Sequence, residues 1–129
     1  MTMPATTSTI LVVEDDSIVR MLIVDVLEEL EFNVIDADCA EKALVSLENL
    51  DKRIDLLMTD FSLPGFNGQE LAGKARHLRP NLPVLVASGL AETLELSDGV
   101  YLIGKPFSID QLRDKVKSIL DPEVCPDLI

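Results

Sequence analysis

At 129 residues the chain has room for one domain with a full hydrophobic core and too little for a second of ordinary size. A hydrophobic content of 47% with ordinary Gly and Pro excludes disorder as the default state, and a net charge of −12, from 11 Lys plus Arg against 23 Asp plus Glu, opposes direct contact with nucleic-acid phosphates. No apolar run approaches the roughly 20 residues of a membrane span, and the polar stretch Met1 to Thr9 lacks the apolar core of a signal peptide, so the expected location is the cytoplasm without membrane insertion.

Residues 1–8 read as a flexible leader, 9–120 as the domain and 121–129 as a tail. The first strand is the apolar run Ile10 to Val13, which ends in Glu14 and Asp15. Apolar residues at Ile18, Val19, Leu22, Ile23, Val26, Leu27 and Leu30 then follow the i, i+3, i+4 spacing of an amphipathic helix. Asn33 to Ala37 is a weaker strand suited to a sheet edge, and Asp38 with Glu41 gives a capping-box-like start to a helix carrying Ala40, Ala43, Leu44 and Leu47.

A third strand, Leu56 to Thr59, runs into Asp60, and Pro64-Gly65 with Asn67-Gly68 supplies turn chemistry before the next helix. That helix carries Leu71, Ala72, Ala75 and Leu78 and stops before Pro80, because the residue preceding a proline is pushed out of the helical region. Val84 to Ala87 forms a fourth strand ending in Ser88, and Val100 to Ile103 a fifth that passes through Gly104 into Lys105. Ser108 and Gln111 form a capping box, with Phe107 and Leu112 at staple positions, for a last helix whose inner face is Ile109, Leu112, Val116, Ile119 and Leu120. Alternating strand and helix patterns point to a parallel sheet with right-handed crossovers and helices on both faces.

In such a sheet the polar residues that end the strands meet at its carboxyl edge, where open α/β sheets bind ligands. Asp15, Asp16 or Asp60 taken singly reads as a helix cap or turn residue. Together, Glu14, Asp15 and Asp60 crowd negative charge in a way that a cation or a raised pKa must relieve. Oxygen-only ligands favour Mg²⁺, with Mn²⁺ as the alternative, over Zn²⁺. Lys105, held between Gly104 and Pro106, is placed as a fixed charge, and Ser88 before Gly89 offers a hydroxyl beside a backbone that a phosphate can approach. Cys39 and Cys125 show no disulfide or metal spacing, and His77 has no partner of its kind, so all three take bland readings.

The motifs from Leu11 through Glu14-Asp15-Asp16 to Arg20, Asp55 to Asp60 with Leu63-Pro64-Gly65, Val84 to Ser88-Gly89, and Gly104-Lys105-Pro106-Phe107 stand in order on four strand ends. From Thr9 to Leu120 the chain resembles a response-regulator receiver domain of two-component signalling. The resemblance implies a flavodoxin-like (βα)5 doubly wound sheet of five parallel strands in the order 2-1-3-4-5. Asp60 would be the phosphoacceptor, Asp15 a direct Mg²⁺ ligand, Glu14 a ligand through water, and the Ser62 backbone carbonyl the remaining protein ligand, with Ser88 and Lys105 holding phosphoryl oxygens. Implied partners are a sensor histidine kinase or histidine phosphotransfer protein and a downstream protein target, with a homodimer among the assemblies the family allows. The domain would be a signalling module with self-catalysed phosphotransfer and dephosphorylation rather than an enzyme, either free-standing or the receiver of a hybrid kinase.

Two departures from the family pattern bear on switching. Leu102 stands where receivers carry Tyr or Phe, and Tyr101, one residue earlier, is expected on the opposite face of the sheet. Residues 89–104 must hold both the fourth helix and the fifth strand, so that helix is expected to be short or irregular, and partner docking shifts in expectation to the first helix, where Met21 and Val24 add apolar area. The competing functions are a phosphorylation-independent receiver-like scaffold and a Mg²⁺-dependent aspartate-nucleophile phosphatase. The phosphatase class needs an acid where this chain has Ser62, and the chain offers no Ser/Thr/Gly loop of the kind with which a flavin-binding domain of the same topology holds phosphate.

Overall fold

The computed structural model describes residues 8–49, 51–61, 68–88, 100–104 and 107–120. Five parallel strands, β1 (Thr9–Val13), β2 (Asn33–Ala37), β3 (Leu56–Asp60), β4 (Val84–Ser88) and β5 (Val100–Gly104), form one sheet in the order β2-β1-β3-β4-β5. The described helices are α1 (Ser17–Glu29), α2 (Ala40–Glu48), α3 (Gly68–Leu78) and α4 (Ile109–Leu120). The expected short fourth helix of the family pattern falls on residues 89–99, outside the described residues.

The three interior strands are buried along their whole length. Helices cover both faces of the sheet, which is why these strands read as unbroken apolar runs instead of alternating ones. One face packs Leu11, Val13, Leu57, Val84 and Val86 against Ala40, Ala43 and Leu47 of α2 and Leu71, Ala72 and Ala75 of α3. The other packs Ile10, Val12, Leu56, Met58 and Leu85 against Ile23 and Leu27 of α1 and Leu112 and Val116 of α4. The weak second strand does lie at an edge, half open to solvent.

Two helix stripes are narrower than their sequence spacing suggests. Ile18 and Leu22 on α1 are 64% and 59% exposed, because at 3.6 residues per turn they lie about 160° and 120° round the helix from the Ile23 and Leu27 line. Ile109 at the start of α4 is likewise exposed.

The capping signals fare differently. The α4 box forms as expected: the Ser108 N–H donates to Gln111 Oε1 at 2.8 Å and the Gln111 N–H to Ser108 Oγ at 3.0 Å. The α2 box does not form. Cys39 is the N-cap and makes no side-chain cap bond, whereas Asp38, one position too early, is engaged by Lys42 at 3.1 Å. Hydrogen bonding to that ammonium holds the Asp38 carboxyl below its ordinary range.

At the end of α1 the Phe32 N–H donates to the Leu27 carbonyl and the Glu31 N–H to the Glu28 carbonyl, the paired bonds of a Schellman motif. Its left-handed position is Glu31, with φ of 73°. A side chain there costs about 1 kcal/mol relative to glycine, partly offset by the entropy a glycine loses on folding. Glu31→Gly is therefore expected to stabilise the fold by about 0.5 kcal/mol in urea unfolding; a destabilised variant would contradict this account of the turn.

Candidate functional site

The β1 connection runs to β2 on one side and the β3 connection to β4 on the other, so the sheet has its topological switch point between β1 and β3. In open α/β sheets the crevice at that point binds ligands, because the loops part there and leave the strand ends uncovered. Glu14 and Asp15 follow β1 directly, and Asp60 ends β3.

One carboxylate oxygen from each of Glu14, Asp15 and Asp60 can lie within 4.8 Å of the others. Among the described residues no other group of three or more His, Cys, Asp or Glu side chains converges in this way. Glu14 and Asp60 are buried, at 5% and 8% exposure, while Asp15 faces solvent. Two unit charges 4.8 Å apart repel by about 1 kcal/mol in bulk water and about 3.5 kcal/mol at the effective dielectric of a protein surface. A set of hard oxygen donors under that strain fits a small divalent cation such as Mg²⁺.

Local hydrogen bonds fix Glu14 and the end of β3. The Glu14 N–H donates to the Ala37 carbonyl, extending the β1–β2 ladder by one residue, and Glu14 Oε2 accepts from the Asp16 N–H at 3.2 Å. Asp16 is the N-cap of α1, its Oδ1 accepting from the Ile18 and Val19 N–H groups. Of the three neighbouring acids, Asp16 thus takes the ordinary capping role, whereas Glu14 and Asp15 belong to the converging group. On β3, Thr59 Oγ1 donates to the Asp60 carbonyl at 3.0 Å, and the Phe61 N–H donates to the Ala87 carbonyl at 2.8 Å.

Ser88 is buried at the end of β4, one residue past Ala87, the register partner of Asp60, so hydroxyl and acid share one sheet edge. Gly104 pairs with Ser88 across β4 and β5. Lys105 and Ser62 lie outside the described residues. Leu102 packs with Val86 in the α2/α3 face, the face of Ser88 by strand alternation. Tyr101 is turned to the opposite face and is 39% exposed.

Arg20, the last residue of the first motif, has two acceptors. Its Nη1 donates to the Glu14 carbonyl at 2.7 Å and its Nε to Asp36 Oδ2 at 3.3 Å. The available signal was its position: a cation about one turn into a helix meets the positive end of the helix dipole and needs a local reason to be there.

A family profile for the response regulator receiver domain matches residues 10–117. The chain is 31% identical over 121 residues to the sensor kinase CckA of Brucella abortus, covering 90% of this chain and 13% of the kinase. The solved receiver domain of the hybrid histidine kinase CckA superposes with a TM-score of 0.79 at 34% identity, covering 88% of this chain and all of that one. The response regulator TrrA of Thermotoga maritima, solved in complex with Mg²⁺ and BeF, superposes with a TM-score of 0.78 at 28% identity, again covering 88% and 100%. The chain belongs to the response regulator receiver domain family, the signalling domains of two-component systems. It spans 13%, 50% and 31% of the length of three of its curated relatives. Among the described residues no helix is long and apolar enough to cross a membrane.

If the three acids form one cation site, Mg²⁺ at about 100 times its dissociation constant adds about 2.7 kcal/mol to the wild type. Asp60→Asn, which removes one of the charges, should gain far less from Mg²⁺ while unfolding at higher urea in its absence. Equal Mg²⁺ stabilisation of both proteins would show that Asp60 is no part of the site.

Proposed function

We propose that the domain accepts a phosphoryl group on Asp60 from the phosphohistidine of a sensor histidine kinase or a histidine phosphotransfer protein, and that phosphorylation switches its contacts with a downstream protein. The observation that carries this reading is the convergence of Glu14, Asp15 and Asp60 at the β1/β3 switch point in a chain of the receiver family. The TrrA complex with Mg²⁺ and BeF supports the same cofactor here.

Asp15 and Asp60 would hold the cation directly, Glu14 through water, with the Ser62 carbonyl as the remaining protein ligand. Bound Mg²⁺ supplies positive charge that offsets the negative charge on the transferring group. The Asp60 carboxylate attacks phosphorus in line as the phosphorus–nitrogen bond breaks. Ser88 Oγ donates to one phosphoryl oxygen, and Lys105 neutralises another. Hydrolysis of the acyl phosphate, catalysed by the same pocket, returns the domain to its resting state.

The acidic surface disfavours nucleic acid as a direct partner, and the cytoplasm is the location that a kinase-fed domain requires. Ile18, Met21 and Leu22 on α1 expose apolar area beside the strand ends, which supports a protein partner there, whereas Val24 is half-buried. The departures at Leu102 and Tyr101 give Ser88 an aliphatic neighbour on its own face in place of an aromatic one.

Incubation with acetyl phosphate and Mg²⁺ should add one phosphoryl mass to the wild type and none to Asp60→Asn. Turnover on a phosphate ester would favour the phosphatase, and no adduct at all would favour the scaffold. For the switch, Leu102→Ala is expected to diminish the phosphorylation-induced amide shifts of β4 and β5, and Tyr101→Ala to leave them in place; the reverse pattern would give the readout to Tyr101.

A further inference from the structure

The Glu14 carbonyl oxygen belongs to the peptide that joins Glu14 to Asp15, so whatever holds that oxygen holds the plane from which the Asp15 side chain projects. Glu14 itself is fixed twice over, by its N–H on the Ala37 carbonyl and by the Asp16 N–H on its carboxylate. Asp15 is the exposed member of the acidic group. The tie on its peptide comes from α1, where Arg20 Nη1 meets the Glu14 carbonyl at 2.7 Å. Arg20 Nε reaches Asp36 Oδ2 at 3.3 Å on the edge strand, in register with Val12 of β1. The guanidinium is planar, so two acceptors in different elements fix its orientation as well as its position, and its side chain is only 20% exposed.

We propose that Arg20 is a positioning residue for the cation site, setting the Glu14–Asp15 peptide so that the Asp15 carboxylate faces Asp60. The proposal rests on the Mg²⁺-dependent reading above. Two effects of Arg20 on the cation oppose each other. Its charge repels a divalent ion, and it lies close to the positive end of α1, so an arginine acting through charge alone would weaken binding. An arginine acting through its hydrogen bonds tightens binding by holding a ligand in place, and loss of an outer partner of this kind typically costs on the order of 10-fold in metal affinity. The sign of the change on neutralising Arg20 therefore distinguishes the two.

The test is calorimetry with MgCl₂ on wild type, Arg20→Gln and Arg20→Lys, with thermal unfolding to verify the fold. Metal-free amide exchange at Asp15 and Asp16 is a readout independent of the ion. Arg20→Gln is expected to bind Mg²⁺ about 10-fold more weakly despite the loss of a positive charge, to exchange faster at both amides without the ion, and to keep its deficit in high salt, where charge effects are screened. Arg20→Lys keeps the charge but not the fork, and is expected to fall between wild type and Arg20→Gln. Unchanged or tighter binding by Arg20→Gln overturns the proposal. Should that variant not fold, Arg20→Lys decides: weaker binding supports it, and wild-type affinity overturns it. Failure of the functional reading is separately visible, because the wild type itself would then bind no Mg²⁺, which removes this inference with it.

Discussion

Packing of β1 and β3 holds Glu14, Asp15 and Asp60, three groups of like charge, together at the carboxyl edge of the sheet. A buried carboxylate at the end of β1 and another at the end of β3 would be driven apart by their charges if the strands beneath them could move. They cannot, because β1 and β3 are packed on both faces and paired from Ile10 with Leu56 to Val13 with Thr59. The free energy of core burial thus keeps like charges together at one edge of the sheet. That exchange of stability for function is common at binding sites.

Much of this was readable from the residues, and for a definite reason. A parallel strand covered on both faces needs apolar side chains throughout, so its end is marked abruptly by the first polar residue. The transitions at Glu14 and Ser88 are of that kind, and β3 reaches Asp60 through one hydroxyl residue, Thr59. The order of the strands places the Asp60 transition beside that of Glu14, which is information about topology rather than pattern, and came from the resemblance of ordered motifs to a family. Features decided by one or two hydrogen bonds were less legible. Asp38 and Glu41 have a capping spacing, yet the helix starts one residue later than that spacing needs, and Lys42 takes the Asp38 carboxylate. Glu31 carries no turn signature, and it is left-handed because the chain must turn from α1 into β2. Apolar character at Ile18, Leu22 and Ile109 was visible, but which line of each helix is buried was decided by how that helix rolls on the sheet.

The same distinction applies to Arg20. Nothing in residue type separates an arginine that meets solvent from one that grips a main-chain carbonyl six positions earlier. Its partners, the Glu14 carbonyl and the Asp36 carboxylate, are brought within reach only when α1 folds back over the β1–β2 edge. Glu14 is thus held from three directions, by the Ala37 carbonyl, by the Asp16 N–H and by the Arg20 guanidinium, and each uses a different kind of bond.

Whether three acids make one cation site at the β1/β3 crevice is decided by substoichiometric Mn²⁺, read as paramagnetic broadening of amide resonances. The amides of Glu14, Asp15, Asp60 and Phe61 should broaden first and together, with excess Mg²⁺ restoring them. Broadening spread over the acidic outer surfaces, at Glu28, Glu29, Asp110 and Asp114, with those four amides spared, would contradict it.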